Sequence, residues 1–213
     1  VKIQHPTIAV GQGTNTIAYS PDGITWTGLG KTIFSTQGNG IAWNGTRWVA
    51  VGSGTNSIAY SSDGINWTGL GNSIFTGIAY SGGRGVAWNG KLWVAVGHGT
   101  NSIAYSSDGI NWTGLGNSYF SWGNGIAWNG TLWVAVGSGT YRIAYSYDGI
   151  SWTGVENSIF ASGNGVAWNG TIWVAVGNSS EWPNNFAYST DGIIWVGLDN
   201  LVFGDSGSGS AGY

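Results

Sequence analysis

The stretch Asn56–Ser73, NSIAYSSDGINWTGLGNS, returns letter for letter at Asn101–Ser118, and the pattern inside it, Ser-x-Asp-Gly-x-x-Trp, decides how the chain folds. That pattern occurs five times, at 20–26, 61–67, 106–112, 146–152 and 189–195. Its aspartates, Asp22, Asp63, Asp108, Asp148 and Asp191, lie 41, 45, 40 and 43 residues apart. A period of this length matches one four-stranded unit. Five such units fill the 213 residues.

Turn chemistry places the strands within a unit. GIAWNGTRWVAVG, from Gly40 to Gly52, is two apolar runs around Asn44-Gly45, a hairpin signal because both central residues tolerate positive φ. The same pair recurs at Asn89-Gly90, Asn129-Gly130 and Asn169-Gly170. SGTN then leads into SIAYS, and the Asp-Gly pair leads into NWTGL, so each unit reads as a meander of strands A, B, C and D. Runs such as WVAV lack polar alternation, which predicts burial on both faces.

Radially stacked sheets cover both faces of each other. The expected fold is therefore all-β, a five-bladed β-propeller of four-stranded antiparallel blades forming one domain over 1–213. A linear β-solenoid is the competing arrangement. The N-terminal TIAVGQGTNTIAYSPDGITWTGL supplies strands B, C and D of a first blade without strand A. Ring closure by pairing of the N- and C-terminal strands would take the missing strand from Ser208–Tyr213, which would hide the sheet edge. The alternative makes Val1–Gln4 strand A and the Gly/Ser-rich end a tail.

SSDGINW and its four relatives resemble the Asp-box, or BNR, repeat of sialidases and other β-propellers, over all five units. Tandem arrays this uniform also resemble uncharacterised repeat proteins of large DNA viruses. Recent amplification and deliberate design are equally compatible with such copies. The Asp-box resemblance implies that the motif is a folding element of the outer hairpin, remote from any active site. The chemistry of the turn agrees: the carboxylate can accept backbone N–H groups, Gly supplies the unusual φ, and Trp packs beneath. A sialidase would also be expected to bring three arginines to one site. Arg47, Arg84 and Arg142 occupy non-equivalent places, and the arginine motif near that family's N-terminus is absent. No catalytic residue and no enzymatic activity are expected.

Composition narrows the function classes further. Only 7% of residues are charged and the net charge is −3, so the basic surface needed for nucleic acid or an anionic membrane is missing. Cysteine is absent, which excludes thiolate catalysis and cysteine metal sites. Methionine is absent too, so Val1 is read as the product of processing or trimming, without the apolar core of a signal peptide. No apolar run approaches the roughly 18 residues of a membrane helix, and a soluble protein is expected, with extracellular and virion-associated locations both open. Fifteen tryptophans, 10 tyrosines and 6 phenylalanines argue for a packed core.

The five motif aspartates are expected to stabilise turns and not to bind metal, since one per blade leaves them too far apart to share an ion. Outside the motifs the acids are Glu156, Glu181, Asp199 and Asp205, all in loops after strands B or D. Glu156 and Glu181 flank one unit, where a carboxylate pair about 5–10 Å apart could cleave a glycoside; solvated loop acids are the plainer reading. The tryptophan pairs led by Trp43, Trp88, Trp128 and Trp168 could stack on sugars, but serve more simply as inter-blade packing. His5 and His98 are isolated. Asn-x-Ser/Thr sequons at Asn44, Asn66, Asn111, Asn129, Asn169 and Asn178 mostly coincide with turns. No metal and no cofactor are expected.

Comparison of the units with each other locates the variation. The WNG and SDG turns barely change, whereas the other face carries GQGTN, GSGTN, GHGTN, GSGTY and GNSSEWPNN, plus the insertion TGIAYSGGRG. Candidate ligand contacts there are Asn15, Asn56, Asn101 and Tyr141, the connecting residues Asn72, Asn117, Asn157 and Asn200, and Trp182. The expected function is a non-enzymatic, rigid structural or interaction scaffold. The alternative is a multivalent lectin-like protein with one weak glycan site per blade on this loop face. Glycans or another protein are the expected partners, and oligomeric state stays open.

Overall fold

The computed structural model describes residues 5–76, 81–156, 159–178 and 185–198. They divide between two compact units, Val1–Gly114 and Leu115–Tyr213. Nineteen strands among the described residues form five antiparallel sheets in which neighbours in sequence are neighbours in space.

In the first unit, the first sheet holds β1 (Thr7–Val10), β2 (Ile17–Ser20) and β3 (Thr27–Gly28). The second holds β4 (Gln37–Trp43), β5 (Trp48–Ser53), β6 (Ile58–Ser61) and β7 (Thr68–Gly69). The third holds β8 (Gly83–Trp88), β9 (Trp93–Gly97), β10 (Ile103–Ser106) and β11 (Thr113–Gly114). In the second unit, the fourth sheet holds β12 (Trp122–Trp128), β13 (Trp133–Ser138), β14 (Ile143–Ser146) and β15 (Thr153–Gly154). The fifth holds β16 (Ser162–Trp168), β17 (Trp173–Asn178), β18 (Phe186–Ser189) and β19 (Val196–Leu198).

The expected five-bladed propeller, closed by pairing of N- and C-terminal strands, is not found. Among the described residues each of the five sheets is open, none curls back on itself, and the first consists of three strands drawn only from Thr7–Gly28. Among the described residues no strand from the C-terminal end pairs with β1. The physical reason is local: consecutive hairpins satisfy each sheet's ladder from within one repeat, so no strand needs to be borrowed from the far end. Both segments considered for the missing strand A, Ser208–Tyr213 and Val1–Gln4, lie outside the described residues. The resemblance to the Asp-box propeller family, read from the five Ser-x-Asp-Gly-x-x-Trp turns, implied such a ring and falls with it.

The hairpins form at the expected Asn-Gly pairs, but one residue later than the sequence suggests: the Asn44 amide donates to the Arg47 carbonyl at 3.1 Å, which puts Gly45 and Thr46 at the centre of the turn. Gly45 has φ 98°, and the Asn44 side-chain oxygen accepts the amides of Thr46 and Arg47 at 2.9 and 2.6 Å. Asn89, Asn129 and Asn169 hold their turns in the same way. Packing then proceeds through the first strand of each sheet. In the first unit β1 packs on β4, and β4 and β5 pack on β8; in the second, β12 and β13 pack on β16.

This close approach depends on a Gly-x-Gly pair carrying a β-bulge, between Gly38 and Gly40, Gly83 and Gly85, Gly123 and Gly125, and Gly163 and Gly165. A Cβ on Gly125 would stand 3.2 Å from the Cα of Gly165, so the backbones touch where no side chain fits. Between the glycines, Asn39 donates to the Gly83 carbonyl and Asn124 to that of Gly163, both at 2.8 Å. Beside each bulge a fully buried phenylalanine, Phe34, Phe75, Phe120 or Phe160, lies over Gly52, Gly97, Gly137 or Gly177. Trp93, Trp133 and Trp173 are fully buried as well.

Candidate functional site

The five Ser-x-Asp-Gly-x-x-Trp turns share one hydrogen-bond pattern. Ser20 Oγ donates to Asp22 Oδ1 at 2.9 Å and accepts the Gly23 amide at 2.8 Å. The same carboxylate oxygen accepts the amides of Ile24 and Thr25 at 2.8 and 2.7 Å. Asp63, Asp108, Asp148 and Asp191 repeat this with their own neighbours. Hydrogen bonds to the charged form make each group a stronger acid. The Thr25 and Ile24 amides hold Asp22 well below the usual carboxylate range, and the Asn66 side chain, with its own amide, does so for Asp63. Burial raises Asp148, but the amides of Ser151 and Ile150 outweigh it and bring the carboxyl down to about 2. So acidic a carboxylate is a poor proton acceptor and, at neutral pH, has no proton to give.

Three of the turns also dock on a neighbouring sheet. A Cβ on Gly64 would lie 2.6 Å from Ile8 Cδ1, one on Gly109 2.9 Å from Val49 Cγ2, and one on Gly192 2.6 Å from Leu132 Cδ2. Trp67, Trp152 and Trp195 close their own turns, donating from Nε1 to the carbonyls of Gly64, Gly149 and Gly192 at 3.0, 3.2 and 3.0 Å. Arg47 donates from Nη1 to the Asp108 carbonyl while its guanidinium lies over the Tyr60 ring.

The loop asparagines are engaged within the fold. Asn15 accepts the Gly30 amide at 2.8 Å. Asn56 accepts the Gly71 amide at 2.8 Å and donates to the Ile33 carbonyl at 2.7 Å, tying the chain entering its sheet to the chain leaving it. Asn101 donates to the Ile74 carbonyl at 2.8 Å, and Asn72 donates to the carbonyls of Gly54 and Thr55. The fold thus brings Asn56 and Asn72 to one loop cluster. Tyr141 lies 6.2 Å from the Tyr119 ring, and Tyr119 donates its hydroxyl to the Trp152 carbonyl at 2.6 Å. Asn117 is engaged in an interaction of its own. Asn157, Asn200 and Trp182 lie outside the described residues, as do Glu181, Asp199 and Asp205.

Glu156 is exposed, and the three arginines stand on separate elements. Arg84 occupies in β8 the place held elsewhere by Asn39, Asn124 and Asn164, and burial lowers its pKa. His98 is likewise lowered, by burial and then by the Arg84 charge. His5 packs on Trp43 at 4.5 Å. The leading tryptophans, Trp43, Trp88, Trp128 and Trp168, pack against Trp48, Trp93, Trp133 and Trp173 at 4.8–5.3 Å between ring centres. Among the described residues no three His, Cys, Asp or Glu side chains gather as metal ligands. Nor, among them, is any helix long and apolar enough to cross a membrane.

One concave feature joins polar and apolar groups. A cleft of about 160 Å³ in the first unit is lined by Ser57, Leu70, Ser73, Ile74, Asn111 and Trp112 among others. Unlike its counterparts in the turns at Trp67, Trp152 and Trp195, the buried Nε1 of Trp112 has no hydrogen-bond partner. Sequence reading missed this cleft, because Trp67 and Trp112 stand in identical motifs and only packing separates them.

No protein-family model matches the chain, and no curated protein matches it. Solved structures do. The chain is similar to the Niastella koreensis GH74 enzyme, at 22% identity and a TM-score of 0.58, over 91% of its own length and 31% of that chain. It is similar to a structure of a nidogen/laminin complex at 16% identity and a TM-score of 0.60, covering 86% of this chain and 74% of that one. It is also similar to YCF48 bound to the D1 peptide, again at 16% and 0.60, covering 91% and 63%. The chain therefore spans about a third of the GH74 enzyme. At these identities the likeness is one of fold, an all-β arrangement of several sheets.

Proposed function

We propose that this chain is a non-enzymatic interaction module, a rigid scaffold that offers loops and sheet faces to a partner. The observation that carries the reading is the use of its polar side chains: the five motif carboxylates and the loop amides of Asn15, Asn56, Asn72 and Asn101 are engaged in holding turns. Groups fixed in this way give shape and rigidity, not proton transfer. The fold is shared with the GH74 enzyme, with the nidogen/laminin complex and with YCF48 bound to the D1 peptide, so fold does not choose between catalysis and binding. The residues favour binding. A panel of fluorogenic glycosides tests this: no turnover is expected, and turnover that disappears in Glu156→Gln would overturn it.

A second reading, lectin-like binding, is favoured by the cleft at Trp112. Its serines and the Asn111 amide beside aliphatic side chains and the Trp112 ring suit a neutral, amphipathic ligand of sugar size. A glycan array on the wild type and Trp112→Ala separates the readings. Sugar-competable binding lost in the variant supports the lectin; absence of binding across sugar classes leaves the scaffold.

A further inference from the structure

The dipeptide Asn-Gly occurs seven times, and the fold uses it in two ways. Four copies open the hairpin turns, at Asn44, Asn89, Asn129 and Asn169; three lie in the bulges, at Asn39, Asn124 and Asn164. In the bulges the side-chain nitrogen is bound: Asn39 donates to the Gly83 carbonyl, Asn124 to that of Gly163, and Asn164 to the Asn178 side-chain oxygen at 2.7 Å. In the hairpin turns the oxygen is bound instead. Asn44 Oδ1 accepts the Thr46 amide at 2.9 Å, the Arg47 amide at 2.6 Å and the Thr46 hydroxyl at 3.1 Å. Asn129 Oδ1 takes the same three bonds from Thr131 and Leu132, at 2.9 Å, 3.1 Å and 2.7 Å. Asn89 and Asn169 accept the two amides. Among the described residues no acceptor bonds the Gly45 or Gly130 amide, and no partner bonds the side-chain nitrogen of Asn44 or Asn129.

We propose that the four Asn-Gly hairpin turns are sites of spontaneous deamidation, in which the turn's own donors stabilise the tetrahedral oxyanion. The Gly45 nitrogen gives its proton to hydroxide and bonds to Cγ of Asn44, and a residue without Cβ leaves that approach open. Negative charge then gathers on Oδ1, where two amides and a hydroxyl already point. Donors fixed in advance on a developing oxyanion accelerate acyl transfer. The Cγ–Nδ2 bond breaks, ammonia departs with a proton taken from water, and a succinimide ring remains. Water opens the ring at either carbonyl to give aspartate or isoaspartate, so the net change is amide plus water to acid plus ammonia.

The aspartate product fits the fold. Asp22 Oδ1 accepts the amides two and three residues on, at 2.8 and 2.7 Å, the relation that Asn44 has to Thr46 and Arg47. Conversion therefore adds negative charge to a chain of net charge −3 while keeping the turn. Isoaspartate instead reroutes the backbone through Cγ and removes the acceptor. The Asp-Gly pairs of the motif are spared, because an ionised carboxylate is a poor electrophile.

Peptide mapping by mass spectrometry tests the proposal on the full chain held at mildly alkaline pH, folded and in urea. In urea all seven sites are expected to convert at comparable rates, since only the dipeptide matters there. In the folded chain Asn44 and Asn129 are expected to convert at least as fast as in urea, and Asn89, where Lys91 supplies no hydroxyl, more slowly than either. Asn39, Asn124 and Asn164 should fall behind Asn44 by about tenfold or more, having no such donors on their oxygens. Thr46→Val should slow Asn44 several-fold and leave Asn129 unchanged, with Thr46→Ser restoring the rate; circular dichroism checks that both remain folded. Asn44 or Asn129 converting more slowly folded than in urea, bulge sites that keep pace with Asn44, or an unchanged Asn44 rate in Thr46→Val would overturn it.

Discussion

Asn56 lies directly over Gly69: a Cβ on that glycine would stand 2.3 Å from the carboxamide carbon of Asn56. Asn15 covers Gly28, Asn101 covers Gly114, and the Tyr141 ring covers Gly154 in the same way. The Thr-Gly pair of β3, β7, β11 and β15 is therefore the seat of a loop side chain, and where that side chain is Asn15 or Asn56 its amide holds the loop closed.

Asn56→Ala is expected to lower stability by about 1–3 kcal/mol, because it strips partners from the Gly71 amide and the Ile33 carbonyl. Gly69→Ala is expected to destabilise by a similar amount through steric conflict with Asn56. The double variant should cost less than the sum of the two, since the alanine no longer has an amide to displace. Urea unfolding of the three proteins measures the coupling.

Stability is expected to depend on acid in a defined window. The five motif carboxyls titrate below their unfolded value of about 3.9, with Asp148 at about 2. A lowered folded pKa contributes stability that is present above the unfolded value and lost as pH falls toward the folded one. The thermal midpoint should change little from neutrality to about pH 5 and fall between about 3.9 and 2. At neutral pH, Asp63→Ala should cost about 1 kcal/mol through its lost turn bonds and flatten part of that acid limb.

Gly163→Ala is expected to destabilise by about 1–3 kcal/mol, because its Cβ would stand 2.8 Å from Val136 Cβ and 2.9 Å from the Arg142 carbonyl. Gly130→Ala faces open space, so its cost, also about 1–3 kcal/mol, comes from the strain of φ 103° alone. Denaturant midpoints compare the two.

The five repeats, the Asn-Gly hairpins and the order of strands within each sheet were legible in the sequence, because turn residues and apolar runs act over a few positions. Sheet closure was not. It depends on pairing between segments some 200 residues apart, and the Gly/Ser-rich stretch Ser208–Tyr213 carries no apolar period to fix a register. The loop asparagines were recognisable as special, but an amide that could face a ligand and one that clamps a strand have the same letter. Only the glycine two residues before its amide partner, as Gly69 is before Gly71, could have signalled the clamp. The Gly-x-Gly bulges at 38–40, 83–85, 123–125 and 163–165 were equally visible as a repeat. Their role in backbone contact needed the neighbouring sheet to be in place.

The central claim is that each sheet is an open meander built from one stretch of chain, and cross-strand nuclear Overhauser effects test it most directly. The account predicts an antiparallel ladder that sets Thr7 opposite Ser20 and Val10 opposite Ile17. A ladder that pairs Thr7–Val10 with another segment in place of Ile17–Ser20 would contradict it.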